Sequence, residues 1–372
     1  MNVYEKYGVK KVINASGNMT VLGVSKVSDE VIEDINIGLK NFFVIDELFK
    51  KSNSYIAELL NVEGVCITSS ASSGIAMSIA ALIAGDDINA CEYIHQLKTD
   101  KRNVLMLKGH NINYGGNIET MVNLGAGKIQ EVGSANVSTI EHIRAAINDN
   151  TLCFLYVKSH HCVQKNQVSL EEIVKVCNEK HVPVIIDAAA EEDLQKYYMK
   201  GADLVVYSGA KAVEGPTSGL VLGKKELTDK VYFQYKGIGR AMKIGKEGIL
   251  GLTRAIERYV NLESNYEMQC QLVDLIITNT NKNTMFKLEP VDDLAGRKIK
   301  RVLLITNPIC ASKIIGYLCS KEITIETRNH QVNLGKIELD VRQVTREEAL
   351  FICKKLNEFI EMENNGINTK VL

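Results

Sequence analysis

Seven short apolar runs alternate with helical patterns between about residues 60 and 225, and this alternation constrains the fold more than any other feature. The runs are VCIT (65–68), NVLML (103–107), KIQEV (128–132), CFLYV (153–157), VPVIID (182–187), DLVVYS (203–208) and SGLVLG (218–223). Ser138 with Glu141, and Ser169 with Glu172, have the spacing of capping boxes at helix starts. Strands rich in Val and Ile that alternate with helices predict an α/β fold around a mainly parallel seven-stranded sheet.

The pattern changes after about residue 250. Residues 245–275 read as helix, and RVLLIT (301–306), ITIETR (323–328) and KIELDVR (336–342) read as strands that alternate with amphipathic helices. We therefore predict an N-terminal arm and large domain over 1–250, a linker helix over 251–279, and a smaller C-terminal α+β domain over 280–372. A chain of 372 residues that is 45% hydrophobic can bury two such cores.

Composition argues against several classes of partner. The formal net charge is -1, which indicates neither a nucleic acid nor an anionic membrane. None of the nine cysteines lies at C-x-x-C spacing, so reduced, buried thiols are favoured over zinc binding or a disulfide framework. The N-terminus lacks the apolar core of a signal peptide, and no stretch reaches the roughly 20 apolar residues of a membrane span. We expect a soluble cytoplasmic protein with no metal site.

Small hydroxyl residues follow the first strand in the sequence TSSASSG (68–74). The start of the next helix offers N–H groups and a positive dipole end, which suit a phosphate. The hydroxyls of Ser70, Ser72 or Ser73 can add donors. Ordinary helix capping explains the same serines, because serine is a preferred N-cap residue.

Two charged residues follow later strands. Asp187 ends VPVIID, and Lys211 follows DLVVYS in the sequence SGAK, three residues after Ser208. The two residues are one strand-helix-strand step apart, so both fall at the carboxyl edge of the predicted sheet, where such folds bind ligands. A lysine held there can have a lowered pKa and act as an amine nucleophile. The alternatives are a solvated aspartate at the start of a loop and a surface lysine.

Several segments together resemble a known group of enzymes. VINASGNMTVLG (12–23), SGAKAVEGPTSGLVLG (208–223) and GIGRAMKIGKE (237–247) are similar to motifs of the fold-type-I pyridoxal-phosphate (PLP) enzymes, in the group of bacterial selenocysteine synthase. KGHNINYGG (108–116) is similar to a segment of the D-glucosaminate-6-phosphate ammonia-lyase branch. The resemblance covers most of the chain. It implies a PLP-transferase fold of type I, similar to aspartate aminotransferase, with PLP as the cofactor.

The resemblance also implies roles for individual residues. Lys211 falls at the Schiff-base lysine, and Asp187 falls at the partner of the pyridine nitrogen. The phosphate ligands fall at Ser70, Ala71, Ser72 and Ser208. Many relatives carry His where this chain has Ala210, which removes a contact but not the chemistry. His110 or Tyr114 is the candidate for stacking on the cofactor ring, although a loop histidine can equally be structural.

Candidate substrate residues are all cations. Arg342, at the end of KIELDVR, resembles the arginine that holds a substrate carboxylate in relatives, and a surface salt bridge is the alternative. Arg240, Lys243 and Lys246 have helical spacing and are candidates for a second anion such as phosphate, or else form a solvated helix face. The run of Arg297, Lys298, Lys300 and Arg301 is interpreted as solvated surface.

The function implied is a PLP-dependent ammonia-lyase that acts on a phosphorylated amino-sugar acid, 2-amino-2-deoxy-D-gluconate 6-phosphate. One alternative is an L-seryl-tRNA selenium transferase. Those enzymes carry a tRNA-binding domain ahead of the opening motif, which begins here by residue 12. The other alternative is a PLP-binding protein without turnover. Related enzymes build their sites at dimer interfaces, with loops such as 215–219 reaching the neighbour, so a homodimer or a larger even oligomer is expected.

Overall fold

The computed structural model describes residues 2–159, 161–262, 265–293, 298–320 and 322–368. The chain divides into two compact units, one formed by Val27–Leu262 and the other by Met1–Lys26 with Glu263–Leu372. Arg297, predicted to be solvated, lies outside the described residues. No helix formed by the described residues combines the length and the apolar character that a bilayer crossing requires.

The strands within these ranges are, in chain order, β1 (Lys11–Ala15), β2 (Gly64–Thr68), β3 (Asn103–Leu107), β4 (Lys128–Val132), β5 (Thr151–Val157), β6 (Val184–Asp187), β7 (Leu204–Ser208), β8 (Gly219–Gly223), β9 (Lys287–Asp292), β10 (Lys300–Ile305), β11 (Ile323–Thr327) and β12 (Lys336–Asp340). The α-helices are α1 (Val3–Tyr7), α2 (Asp29–Lys40), α3 (Ile45–Leu59), α4 (Ala71–Ala84), α5 (Ile88–Glu92), α6 (Ile118–Leu124), α7 (Ile140–Ala146), α8 (Leu170–Glu179), α9 (Lys196–Met199), α10 (Lys225–Phe233), α11 (Lys246–Asn261), α12 (Tyr266–Asn279), α13 (Pro308–Cys319) and α14 (Arg346–Asn368).

The unit Val27–Leu262 contains a seven-stranded sheet in the order β2-β8-β7-β6-β5-β3-β4, in which β8 alone runs opposite to the other six strands. Successive residues of most central strands enter different cores. In β7, Val205 and Tyr207 join the core that includes residues of α3, α8 and α11, whereas Leu204 and Val206 join the core that includes residues of α4 and α6. Helices therefore cover both faces, and this explains why the central strands are apolar on both faces. The predicted sheet is confirmed.

The other unit contains a three-stranded antiparallel sheet, β12-β10-β9, and a parallel pair of β1 with β11. Its core includes residues of α12, α13 and α14. The division differs from the predicted boundaries in two places. The first 26 residues group with the C-terminal unit, because β1 pairs with β11 from Lys11 opposite Ile323 to Ala15 opposite Thr327. Two helices, α11 and α12, stand where one linker helix over 251–279 is predicted, and each belongs to a different unit.

Candidate active site

The carboxyl ends of the parallel strands bring the first set of predicted residues to one edge of the large sheet. Ser208 at the end of β7 pairs with Gly219 at the start of β8, which in turn pairs with Thr68 at the end of β2. Asp187 ends the neighbouring strand β6, opposite Val157 of β5. The edge therefore carries the serine-rich loop, the aspartate and the start of the lysine loop, and this is where α/β sheets bind ligands.

Asp187 and Lys211 interact at this edge. The Asp187 side chain is buried, and its Oδ1 accepts the N–H of Ala189 at 3.1 Å. Burial raises the pKa of the Asp187 carboxyl, and it lowers the pKa of the partly buried Lys211 amine. The charge of each residue opposes the shift of the other. The site therefore holds a carboxylate that needs a cationic partner and an amine that releases its proton more readily than a surface lysine.

The loop that carries Lys211 (208–218) is closed on itself by backbone hydrogen bonds. The Lys211 N–H donates to the Ser208 carbonyl at 3.3 Å, and the Gly215 N–H donates to the Gly209 carbonyl at 2.7 Å. A Cβ added at Gly209 would lie 2.5 Å from Cδ1 of Leu252, so α11 packs directly against this loop. The packing fixes the backbone that presents the lysine.

The serine-rich loop begins α4, and Ser70 is its N-cap. The Ser70 Oγ accepts the N–H of Ser73 at 3.0 Å, and the Ser73 Oγ donates back to the Ser70 carbonyl at 2.8 Å. The Ser70 hydroxyl therefore caps the helix, as the alternative interpretation of the sequence predicts. The N–H groups of Ala71 and Ser72 precede the first intrahelical bond and remain as donors at the helix start. The Ser72 Oγ lies 3.3 Å from the Tyr114 hydroxyl, so these two hydroxyls form a pair beside that start.

His110 is buried, and its Nδ1 accepts the N–H of Val157 at 3.3 Å. The proton of the neutral ring is therefore on Nε2. Burial, assisted by the charge of Lys158, lowers the pKa of His110 to about 4, so the ring is neutral at physiological pH. The ring contacts Tyr156 edge-on with centroids 4.7 Å apart. Burial raises the pKa of the Tyr114 phenol, which stays protonated.

The basic segment after the lysine loop is not one helix face. Arg240 ends a single 3-10 turn (Ile238–Arg240), Lys243 lies in a loop, and Lys246 begins α11. Arg240 and Lys243 are exposed. Lys246 Nζ instead donates to the carbonyl of Asn41 at 2.5 Å, beyond the end of α2. The predicted helical spacing is wrong because the chain bends between these residues.

Arg342 belongs to the other compact unit, where its guanidinium binds the buried Asp340. The pair is not a surface salt bridge, because Asp340 is fully buried and the Arg342 side chain is only 18% exposed. Arg301 binds the same carboxylate and is 4% exposed, so the prediction of solvated surface is wrong for Arg301. A run of basic residues next to an apolar strand predicts a solvated surface. The prediction fails here because the buried acids that pair with Arg301 lie elsewhere in the sequence.

Lys158 is a residue at this edge that the sequence interpretation missed. It follows β5 directly, and its N–H donates to the Asp187 carbonyl at 2.8 Å. Its charge lowers the pKa of His110. Its position after CFLYV, next to the strand that ends in Asp187, is the signal that would have identified it.

Gly219 sets the distance between the lysine loop and the serine-rich loop. A Cβ at this position would lie 2.3 Å from the carbonyl carbon and oxygen of Ser70. We expect Gly219→Ala to lower the free energy of unfolding by about 1–3 kcal/mol, because backbone must move to relieve the overlap. It should also weaken PLP binding, measured by cofactor titration. Gly116→Ala is the control, because the nearest atom to its added Cβ is Met121 Cε at 3.7 Å. Equal stability and PLP affinity in both variants would contradict this role for Gly219.

These residues fit PLP. The buried Asp187 requires a positive partner such as a protonated ring nitrogen, Lys211 is an amine for an aldehyde, and the start of α4 suits a phosphate. The described residues contain no group of three or more His, Cys, Asp or Glu side chains arranged to hold a metal ion. The fold and the site define the class of fold-type-I PLP-dependent enzymes.

Comparisons with known proteins identify the family. A family model described as L-seryl-tRNA selenium transferase matches residues 12–289. A D-glucosaminate-6-phosphate ammonia lyase from Salmonella typhimurium is 40% identical over 97% of this chain and 98% of that protein. A 5'-C-glycyluridine monooxygenase-decarboxylase from a Streptomyces species is 32% identical over 98% of this chain and 94% of that protein. A solved structure of a D-glucosaminate-6-phosphate ammonia-lyase is 38% identical, with a TM-score of 0.88 over 97% of this chain and 99% of that one.

This chain belongs to the L-seryl-tRNA selenium transferase family of PLP-dependent enzymes. The predicted fold class, the group resemblance and the cofactor are confirmed.

Proposed function

We propose that this chain is a PLP-dependent ammonia-lyase that converts 2-amino-2-deoxy-D-gluconate 6-phosphate to 2-keto-3-deoxygluconate 6-phosphate and ammonia. The observation that carries the proposal is the interaction of Asp187 with Lys211 at the ligand-binding edge of the sheet. It occurs in a chain that is 40% identical, over 97% of its length, to a relative bearing the ammonia-lyase name.

The residues that hold the cofactor are proposed from their positions. Lys211 would hold the cofactor through its amine, and Asp187 would be the acidic partner of the cofactor's ring nitrogen. The N–H groups of Ala71 and Ser72 bind the phosphate, with hydroxyls from Ser72 and Ser208, while the Ser70 hydroxyl supports this loop as the helix cap. His110 would pack against the cofactor's ring. PLP, when bound, supplies an electron sink for the charge left when a bond to the substrate's α-carbon breaks.

Lys211 and Asp187 have different roles in the reaction. With PLP and substrate bound, the Lys211 amine would remove the proton on C2, which its lowered pKa favours. Asp187, when ionised, would balance a positive charge on the cofactor. The C3 hydroxyl then leaves with a proton as water. The released enamine tautomerises and takes up water, which yields the 2-keto acid and ammonia.

Two groups of cations are proposed for the substrate's anions. Arg342 binds the carboxylate, which requires a planar, bidentate donor. Arg240 and Lys243 bind the phosphate at C6, since both are exposed cations of one short segment. Lys246 is not included, because its amine binds backbone carbonyls after α2.

The assembly is proposed from the family resemblance, and the location from the cysteines. We propose a homodimer or larger even oligomer in which the loop 215–219 reaches the neighbouring subunit. We also propose a cytoplasmic location, which the absence of disulfides among the nine cysteines, all in the described ranges, supports. No nucleic acid partner is proposed.

The test is an assay of ammonia and keto-acid release from the purified, PLP-loaded protein. We expect turnover of the sugar-acid phosphate in the absence of oxygen, and a KM at least 10-fold higher for the unphosphorylated acid. Arg240→Gln with Lys243→Gln should remove that preference, whereas Lys175→Gln on α8 should not. Oxygen-dependent release of carbon dioxide instead would assign the chemistry of the Streptomyces relative. A loaded protein that turns over no amino acid would indicate a cofactor-binding protein without catalysis.

The family description itself favours one second candidate, a transferase that acts on seryl-tRNA. Its elimination step is chemically the same. Filter binding to tRNA at several salt concentrations separates the two, since binding through phosphates weakens steeply as salt rises. We expect no salt-dependent retention of tRNA, and submicromolar retention would favour the transferase.

A further inference from the structure

The Asp340 carboxylate is the centre of a buried charge cluster in the unit that contains the C-terminus. Arg342 donates from Nε to Oδ1 at 3.0 Å and from Nη2 to Oδ2 at 2.9 Å. Arg301 donates from Nε to Oδ2 at 2.9 Å. Both oxygens are therefore engaged, and the plane of the Arg342 guanidinium is fixed through one edge.

The charge of Asp340 is maintained by its arginines. Burial would raise its pKa, but the charges and hydrogen bonds of Arg342 and Arg301 outweigh burial and hold the pKa at about 2. Arg301 also binds Asp293, from Nη1 at 3.0 Å. Asp293 contributes to the cluster through Arg301, whereas Asp340 holds both arginines at once.

The turn after β1 packs on the same pair. Gly17 has φ +86°, and an added Cβ would lie 2.9 Å from Asp340 Oδ2 and 3.2 Å from Arg342 Nη2. Asn14 holds the turn: its Nδ2 donates to the Gly17 carbonyl at 2.9 Å, and its Oδ1 accepts the Ser16 N–H at 2.9 Å. Only glycine satisfies both the positive φ and the close approach.

We propose that Asp340 is a positioning residue for Arg342 and that the turn at residues 14–18 holds this pair in place. The turn at residues 14–18 and the pair Asp340–Arg342, which are more than 300 residues apart in the sequence, thus form one carboxylate-recognition element. This inference rests on the role of Arg342 in the proposed function.

The test compares two variants with two matched controls. Asp340→Asn keeps the shape of the side chain and removes its charge. Asp293→Asn is its control, because Asp293 binds the same buried Arg301, whereas the hydrogen bonds of Arg342 described above are accepted by Asp340. Gly17→Ala inserts the clashing Cβ. Gly23→Ala is its control, because Gly23 has φ +82° in the same segment and an added Cβ would meet nothing within 4 Å. Backbone strain is then equal, and only the contact with the pair differs.

The first readout is steady-state turnover of the sugar-acid phosphate. We expect Asp340→Asn and Gly17→Ala to raise KM by about 10- to 100-fold, with a smaller fall in kcat, because a displaced carboxylate clamp loses affinity. Both controls should stay within about threefold of wild type. The absorbance of bound PLP should be unchanged in all four proteins, since the cofactor residues belong to the other unit.

The second readout does not need turnover. Calorimetry gives the dissociation constants of serine and of serinol, which lacks the carboxylate, for each PLP-loaded protein. We expect wild type and the controls to prefer serine by at least 10-fold, and Asp340→Asn and Gly17→Ala to lose that preference. Equal behaviour of Asp340→Asn and Asp293→Asn, or no preference in wild type, would overturn the inference. Wild type that prefers serine but does not turn over the sugar acid would contradict the proposed substrate instead. If Gly17→Ala fails to fold, Asp340→Asn with its control decides alone.

Discussion

Lys211→Ala is expected to lack the long-wavelength ultraviolet absorption band that PLP-loaded wild type shows, and to release ammonia at least about 10³-fold more slowly. The variant loses both the amine that holds the cofactor and the base that removes the α-proton, and a positioned base alone contributes about 10²–10⁴-fold. The measurement is an absorption spectrum of each protein after PLP is added and the excess is removed. Borohydride should abolish the wild-type band by reducing the link to the lysine.

The control is Lys224→Ala. Lys224 follows β8 at the opposite edge of the same sheet, where it forms an ion pair with Asp203. This variant should keep the band and the activity. A borohydride-sensitive band in Lys211→Ala equal to that of wild type would show that another amine holds PLP. Lys158, which follows the neighbouring strand β5, would then be examined first. If wild type also stays colourless, the assignment of the site fails.

Much of the large sheet could be predicted because its signal is local. Each central strand is a short apolar run that is buried on both faces, and the carboxyl ends of the parallel strands fall at the same edge by topology alone. Asp187, Lys211 and the serine loop could be found from that rule. Capping was predicted for the right reason but not always at the right residue. Ser169 caps α8 as expected, whereas α7 begins after Thr139, and Ser138 instead binds Gln167.

The C-terminal unit depends on long-range contacts that local sequence patterns do not reveal. The pairing of β1 with β11 joins residues more than 300 positions apart, so the first 26 residues could not be assigned to their unit. Arg301 reads as surface because its partners, Asp293 and Asp340, come from separate segments. Long-range pairing of charges decides whether a basic residue is buried, and neither spacing nor composition records it.

Asp187→Asn is expected to slow the elimination by about 10³-fold while PLP still binds. An amide cannot keep a ring nitrogen protonated, so the electron sink weakens, and the loss corresponds to about 4 kcal/mol of transition-state stabilisation. The cofactor's phosphate contacts and Lys211 remain. The pKa of Lys211 should fall further, because the charge of Asp187 is what opposes the effect of burial on that amine. The measurement is single-turnover kinetics with a spectrum of the loaded variant.

The same substitution should stabilise the protein when PLP is absent. The pKa of Asp187 in the folded chain is raised above its usual value of 3.8, so protonation favours the folded state, and that contribution is lost as pH rises through the raised pKa. The difference in unfolding free energy between Asp187→Asn and wild type should therefore grow in favour of the variant as pH rises from about 4 through that raised pKa. Denaturant unfolding of the cofactor-free proteins at several pH values measures it.

Asp203→Asn is the matched control for both effects. Asp203 is also buried, but it precedes β7 at the opposite edge, where its Oδ2 accepts the Val184 N–H at 2.7 Å and its Oδ1 lies 2.5 Å from Lys224 Nζ. Its replacement should lower stability by about 1–3 kcal/mol and leave the elimination rate unchanged. Replacing a buried acid that serves only the fold lowers the stability of the protein. Replacing a buried acid that serves a ligand raises the stability of the ligand-free protein, because its charge there has no ligand to balance it. If Asp187→Asn instead destabilises the cofactor-free protein as Asp203→Asn does, Asp187 is a structural residue.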